Sequence, residues 1–298
     1  MSNKVNNFKK THAINSWINL ILSIFIVICV FMAVVHNLLA MPDELVQERG
    51  IKTFRMFTVL SNMLVATSFA MTIPFAVDGI RQKNYHLPRW IVNLTFISVS
   101  CVTLTFLISV SILSPNAGYK VIMASGTNLF LHTLVPVSSI LAIIFVNSYH
   151  TIKFRATFYT LIPIFLYATV YVVSAIFIGE ENGGWRDHYH FKKLMPWYFT
   201  YAMILVLGFI IANALRLAHN YMHRKDKRNT ENYYQNAPEY NLPTIEEAIK
   251  HLAKENKQYD KGGEVIVPRR IIKFLNNKYN SEKSLNELCN IYVNEYLA

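Results

Sequence analysis

Thr58, Ser61 and Asn62 stand at i, i+3 and i+4 inside an apolar stretch, a spacing that places all three on one face of a helix. Further along, Asn128, His132 and Ser139 share a face in another apolar stretch. A hydroxyl, an imidazole and two carboxamides are what acyl transfer needs: a nucleophile, a general base and donors for the developing oxyanion. The imidazole carries the most information, because even a neutral histidine has one donor and one acceptor to satisfy. The others have plainer uses. Threonine and serine in membrane helices bond the carbonyl one turn back, and asparagine ties helices together. His36, near the end of an earlier apolar stretch, is an additional candidate, with snorkelling toward an interface as its ordinary explanation.

The chain that positions these groups has 298 residues, 53% hydrophobic and 16% charged. A soluble protein carries about 25% charged residues, so this composition belongs to a membrane. A bilayer core takes roughly 20 apolar residues per helix. Six stretches qualify: Asn15 to Ala40, Phe54 to Val77, Trp90 to Leu113, Ser125 to Ser148, Ala156 to Ile178 and Pro196 to Leu217. The first is too long for a signal-peptide core and reads as a retained span. Cys29, Cys101 and Cys289 are too few and too scattered for a disulfide framework or a zinc knuckle. The expected fold is all-α, a polytopic membrane protein with six transmembrane helices and a small helical cytoplasmic tail. Residues 1–220 form the membrane domain and residues 221–298 the tail.

Depth can be counted from the far ends of the spans. Thr58 precedes Asp78 by 20 residues, and His132 precedes His150 by 18. At ~1.5 Å per residue the two side chains lie ~30 Å and ~27 Å from comparable reference points. Thr58, His132 and His36 are therefore expected at one level, in the outer half of the membrane. Pro136 removes a backbone donor near His132 and loosens the helix there. No acid lies inside the spans, so Asn62 or Asn128 is expected to hold the imidazole in one tautomer.

Orientation follows from basic residues near the span ends. The N-terminus, the second and fourth loops and the start of the tail hold thirteen Lys and Arg, against seven in the three opposite loops. Both termini are thus expected in the cytoplasm. The tail carries 13 basic and 11 acidic residues, which leaves most of the whole-chain charge of +11 on the membrane part. That excess reports topology and anionic lipid, not nucleic acid. In the tail, Thr244-Ile245-Glu246-Glu247 is a capping box, Pro268 suits a second helix, and Leu285, Leu288, Tyr292 and Tyr296 suit a third. With a Gly262-Gly263 turn these make a small bundle, and Arg269, Arg270 and Lys273 read as its solvated face.

The last outer loop, Gly183 to His190, holds Asp187, His188 and His190. Zinc takes such ligands, although an interfacial aromatic belt looks similar.

Two hexapeptides stand out once the spans are drawn: Phe57-Thr58-Val59-Leu60-Ser61-Asn62 on the second and Leu131-His132-Thr133-Leu134-Val135-Pro136 on the fourth. Together they resemble the two signatures of the family of the androgen-induced gene 1 protein and the androgen-dependent TFPI-regulating protein, with its bacterial six-span relatives. The resemblance covers the six spans and leaves the tail outside. It implies an intramembrane threonine hydrolase that cleaves fatty acid esters of hydroxy fatty acids. Carried over by motif, Thr58 is the nucleophile and His132 the base.

The expected function is therefore hydrolysis of lipid esters taken from the membrane, with Thr58 and His132 catalytic. Ser61, Asn62 and Asn128 are supporting polar groups, and His36 and His188 are additional candidates. No cofactor and no metal are expected, and neither is a nucleic-acid partner. The expected location is a bacterial plasma membrane. The alternative from another class is a non-enzymatic membrane carrier or scaffold. A zinc-dependent lipid amidase or esterase built on His36, His132 and His188, with Asp187, is the third reading.

Overall fold

The computed structural model describes residues 2–39, 50–82, 87–146, 150–189, 191 and 196–235. Six helices are long and apolar enough to cross a membrane: α1 (Ser2–Leu38), α2 (Phe57–Gln82), α3 (Arg89–Ala117), α4 (Gly126–Val146), α5 (Ala156–Ile178) and α6 (Trp197–Gln235). The described residues contain no strand. The protein is an all-α integral membrane protein.

Local chemistry sets the ends. Pro88, at φ −58° and ψ 144°, caps α3 from an extended conformation. The span ends at Ala117, four residues later than Leu113, with Gly118 at φ 94° as its stop, because Pro115 fits the first turn of the Ser114–Ala117 segment. Gly179, at φ 74°, stops α5. α6 runs well past the expected Leu217, since no glycine or proline interrupts residues 209–235. By contact the chain divides into Met1–Arg228 and Asn229–Ala298. The tail motifs, from the Thr244 capping box through Arg269, Arg270, Lys273 and Cys289, lie outside the described residues, as does His190.

The bundle is built inside out relative to a soluble protein. Its lipid-facing rim is apolar: Phe31 and Phe177 are 64% and 63% exposed. Its polar side chains point inward and bond between helices. Asn19 Nδ2 donates to Thr72 Oγ1 at 3.2 Å and Ser23 Oγ meets the same oxygen at 2.8 Å, joining α1 to α2. Ser68 and Ser98 hydroxyls pair at 2.8 Å between α2 and α3. Such bonds each contribute about 0.6–2 kcal/mol in a bilayer. Between them pack fully buried Ile26, Val65, Phe69, Phe96 and Val99.

The end of the bundle opposite Thr58 is clasped by α6. Asn220 Nδ2 donates to the Ile152 carbonyl at 2.9 Å, and its Oδ1 accepts the Ile152 N–H at 2.8 Å. The buried His219 ring sits between two carbonyls, Ile143 at 2.7 Å and His150 at 2.8 Å. The His150 ring in turn meets the Leu87 carbonyl at 3.0 Å. These contacts fix the far ends of α3 to α6, leaving adjustment to the Thr58 end.

Candidate active site

Three helices change their winding at the Thr58 end, α5 among them over Val172–Ile178. Ser109–Leu113 of α3 and Leu129–Leu134 of α4 are π-helical. The α3 and α4 runs each stop two residues before a proline, Pro115 and Pro136, whereas the α5 run stops at Gly179. A proline has no N–H for the carbonyl four residues back, and the wider π turn is one way a helix accommodates that gap. Such turns are frequent at functional sites. They re-aim the side chains that start or fill them, here Ser109 and His132.

The two meet. Ser109 Oγ lies 2.5 Å from His132 Nδ1, with both residues buried. This is the hydroxyl–imidazole contact that an activated nucleophile requires, with the nucleophile inside hydrogen-bond reach of its base. Thr58 is also buried, and the Tyr189 phenol lies beside it, bonded to the N–H of the adjoining Phe57. Asn62 bridges the Thr58 and Leu131 carbonyls, which brings Thr58 close to the His132 turn, but the hydrogen bond made by the imidazole goes to α3.

The supporting residues divide in the same way. Asn62 Nδ2 donates to the Thr58 carbonyl at 2.7 Å and to the Leu131 carbonyl at 3.0 Å. It thereby joins α2 to α4 one residue before His132, and its Oδ1 is buried without a hydrogen-bond partner. Ser61 donates to the Thr58 carbonyl and meets Thr105 Oγ1, both at 3.1 Å. Asn128 donates to the Val121 carbonyl at 3.3 Å, and Ser139 to the Pro136 carbonyl at 2.9 Å. Neither asparagine bonds the ring in the role expected of them; Ser109 takes that place. His36 is half-buried, with Nδ1 shielded from solvent and unbonded, and it does not line the cavity described next.

A cavity of about 150 Å³ opens beside these groups. α2 contributes Phe57 and Thr58, α3 contributes Thr105, Ser109 and Ile112, and α5 and α6 supply apolar walls such as Ile164, Ala168, Met203 and Leu207. Hydroxyls of Thr58, Thr105, Ser109, Tyr167, Tyr189 and Thr200 are carried on residues of its lining, which includes no Asp, Glu, His, Lys or Arg. His132 is not among the lining residues, so Ser109 is the member of the pair that reaches the cavity. Gly208 brings α6 against α5: a Cβ there would lie 2.8 Å from Ile164 Cδ1.

The loop after α5 delivers Tyr189. Gly184 N–H donates to the Gly179 carbonyl at 2.8 Å and Trp185 N–H to the Ser174 carbonyl at 3.0 Å, folding the loop back on α5. A Cβ on Gly184 would fall 2.2 Å from the Ser174 carbonyl oxygen, so only glycine fits. Asp187 Oδ1 accepts the Tyr171 hydroxyl at 2.8 Å and the Phe191 N–H at 3.0 Å. The Tyr171 oxygen accepts the Tyr189 N–H at 3.0 Å. Tyr189 then reaches α2, where its hydroxyl oxygen accepts the Phe57 N–H at 3.1 Å. Burial raises its phenol above the usual tyrosine range, although hydrogen bonds from Tyr167, Phe57 and Thr58 oppose the shift. It remains a neutral hydroxyl at physiological pH.

The zinc reading finds no support in this geometry. Among the described residues, no group of three His, Cys, Asp or Glu is placed to hold a metal ion. Asp187 braces the loop, and His188 is half-buried off the cavity wall. The residues that sequence reasoning passed over are Ser109 and Tyr189. Ser109 did leave a signal, because Thr105 and Ser109 form an i, i+4 hydroxyl stripe ahead of Pro115, matching His132 ahead of Pro136. Comparison of the chain with family models, curated proteins and solved structures finds no match.

Proposed function

We propose that this chain is an intramembrane hydrolase of amphiphilic acyl esters, with His132 as the general base. The observation that carries the reading is the Ser109–His132 contact at 2.5 Å, whose hydroxyl member lies on the wall of an apolar cavity. Its neighbour on that wall is Thr58, to which the resemblance gives the attack. Fatty acid esters of hydroxy fatty acids are the substrates that the resemblance implies. An acyl chain suits walls of Ile164, Met203 and Leu207, while the ester meets the hydroxyls. The excess of basic residues on the opposite loops supports cytoplasmic termini in a plasma membrane. The site then faces the outer leaflet, where an amphiphilic ester concentrates.

The test is turnover of a panel of fatty acyl esters, including esters of hydroxy fatty acids, by purified protein in detergent. Thr58→Ala and His132→Ala run beside wild type, each matched for monodispersity. Release of fatty acid by wild type and its loss in His132→Ala is the expected result. Wild-type protein that is folded yet inert across the panel, or His132→Ala that is as active as wild type, contradicts it.

A further inference from the structure

We propose that Ser109 is the nucleophile, with the Thr58 hydroxyl and the Tyr189 phenol as donors to the oxyanion. This rests on the hydrolase reading above and departs from the resemblance in the identity of the attacking group. Three observations carry it. Ser109 Oγ is 2.5 Å from His132 Nδ1, whereas the group set beside Thr58 is the Tyr189 phenol, bonded to the adjoining Phe57 N–H at 3.1 Å, and a phenol is no base at neutral pH. Ser109 lines the cavity, and His132 stands behind it within hydrogen-bond reach of its hydroxyl. Ser109 also opens the π-helical turn of α3 and His132 lies inside that of α4, so both helices depart from regular winding where the pair forms.

The chemistry balances without any cofactor. With the imidazole proton on Nε2, Nδ1 takes the Ser109 proton as Oγ bonds the acyl carbon. The tetrahedral oxyanion is held by the Thr58 and Tyr189 hydroxyls. The bond from the acyl carbon to the alkoxy oxygen breaks, and the proton on Nδ1 passes to the leaving alkoxide. Water then attacks the Ser109 ester, gives a proton to Nδ1, and the proton returns to Oγ as the fatty acid departs. One ester and one water become one acid and one alcohol.

The experiment treats wild type with an alkyl fluorophosphonate and maps the adduct by peptide mass spectrometry, with ester turnover measured in parallel. An adduct on Ser109 that grows as turnover falls is expected. Ser109→Ala should lower turnover by at least about a thousandfold, with Ser109→Cys partly restoring it. Thr58→Ala should lower kcat by about a hundred- to a thousandfold and still label at Ser109. An adduct on Thr58 overturns the assignment and leaves the hydrolase reading intact. Where no adduct forms, Ser109→Ala decides: turnover within tenfold of wild type overturns the assignment. Wild type with neither turnover nor adduct overturns the hydrolase reading as well.

Discussion

At the scale of single residues, two hydroxyls share one cavity but have different neighbours. Ser109 touches an imidazole, and Thr58 lies beside a phenol bonded to the adjoining Phe57 N–H. His132→Ala should lower kcat by about a hundred- to ten-thousandfold, the usual worth of a general base, with KM little changed. Steady-state kinetics on one good ester check this; an unchanged kcat would remove His132 from the chemistry. Tyr189 gives a pH prediction. Its raised phenol pKa keeps it neutral past the ordinary tyrosine value of about 10. Tyr189→Phe should therefore lower kcat without altering the pH profile between pH 6 and 9, and a shifted profile would show the phenol titrating. Thr58, Asn62 and His132 were legible in the sequence because polar groups are conspicuous in apolar stretches. Ser109 was hidden among hydroxyls that bond their own helix, such as Ser100 to the Phe96 carbonyl and Thr103 to the Val99 carbonyl. Ser98 and Thr105 also reach partners on another helix, so what distinguishes Ser109 is that its partner is an imidazole, and no local pattern encodes that pairing.

At the scale of elements, the loop between α5 and α6 completes the site. Its aspartate and histidines, Asp187, His188 and His190, drew attention to metal binding, yet in the fold the loop carries Tyr189 to Phe57, beside Thr58. Gly184→Ala cannot keep the approach to Ser174. It should displace the loop and lower turnover by about the effect of losing the Tyr189 donor, tenfold or more, while the protein stays monodisperse. Full activity in that variant would detach the loop from catalysis. At the other end, Asn220→Ala strips both hydrogen bonds from Ile152. A loss of about 1–3 kcal/mol is expected, read as a lower Tm in detergent, and an unchanged Tm would show the clasp to be redundant. The six spans themselves were legible, within a few residues, from hydropathy. Their departures trace to local chemistry: Pro115 and Gly118 extend α3, and the absence of a breaker extends α6.

At the scale of the whole molecule, polar side chains point inward and the apolar rim faces lipid, so the bundle holds the Ser109–His132 pair out of bulk water. The level shared by Thr58 and His132 was countable from the sequence, but which helices touch was not. Asn62 bonding to the Leu131 carbonyl is what joins α2 to α4, and it depends on packing that a one-dimensional pattern lacks. Orientation gives the global prediction. A phosphatase active only outside the cytoplasm should be inactive when fused after Ala298 and active when fused in the loop before Phe57; the reverse would turn the site toward the cytoplasm. The central claim is ester hydrolysis through acyl transfer. It is tested most directly by incubating purified protein with a fatty acyl ester in ¹⁸O-labelled water and weighing both products. One ¹⁸O in the fatty acid, none in the alcohol, and no release by His132→Ala is the predicted result. Label in the alcohol, or no products from folded wild type, would contradict it.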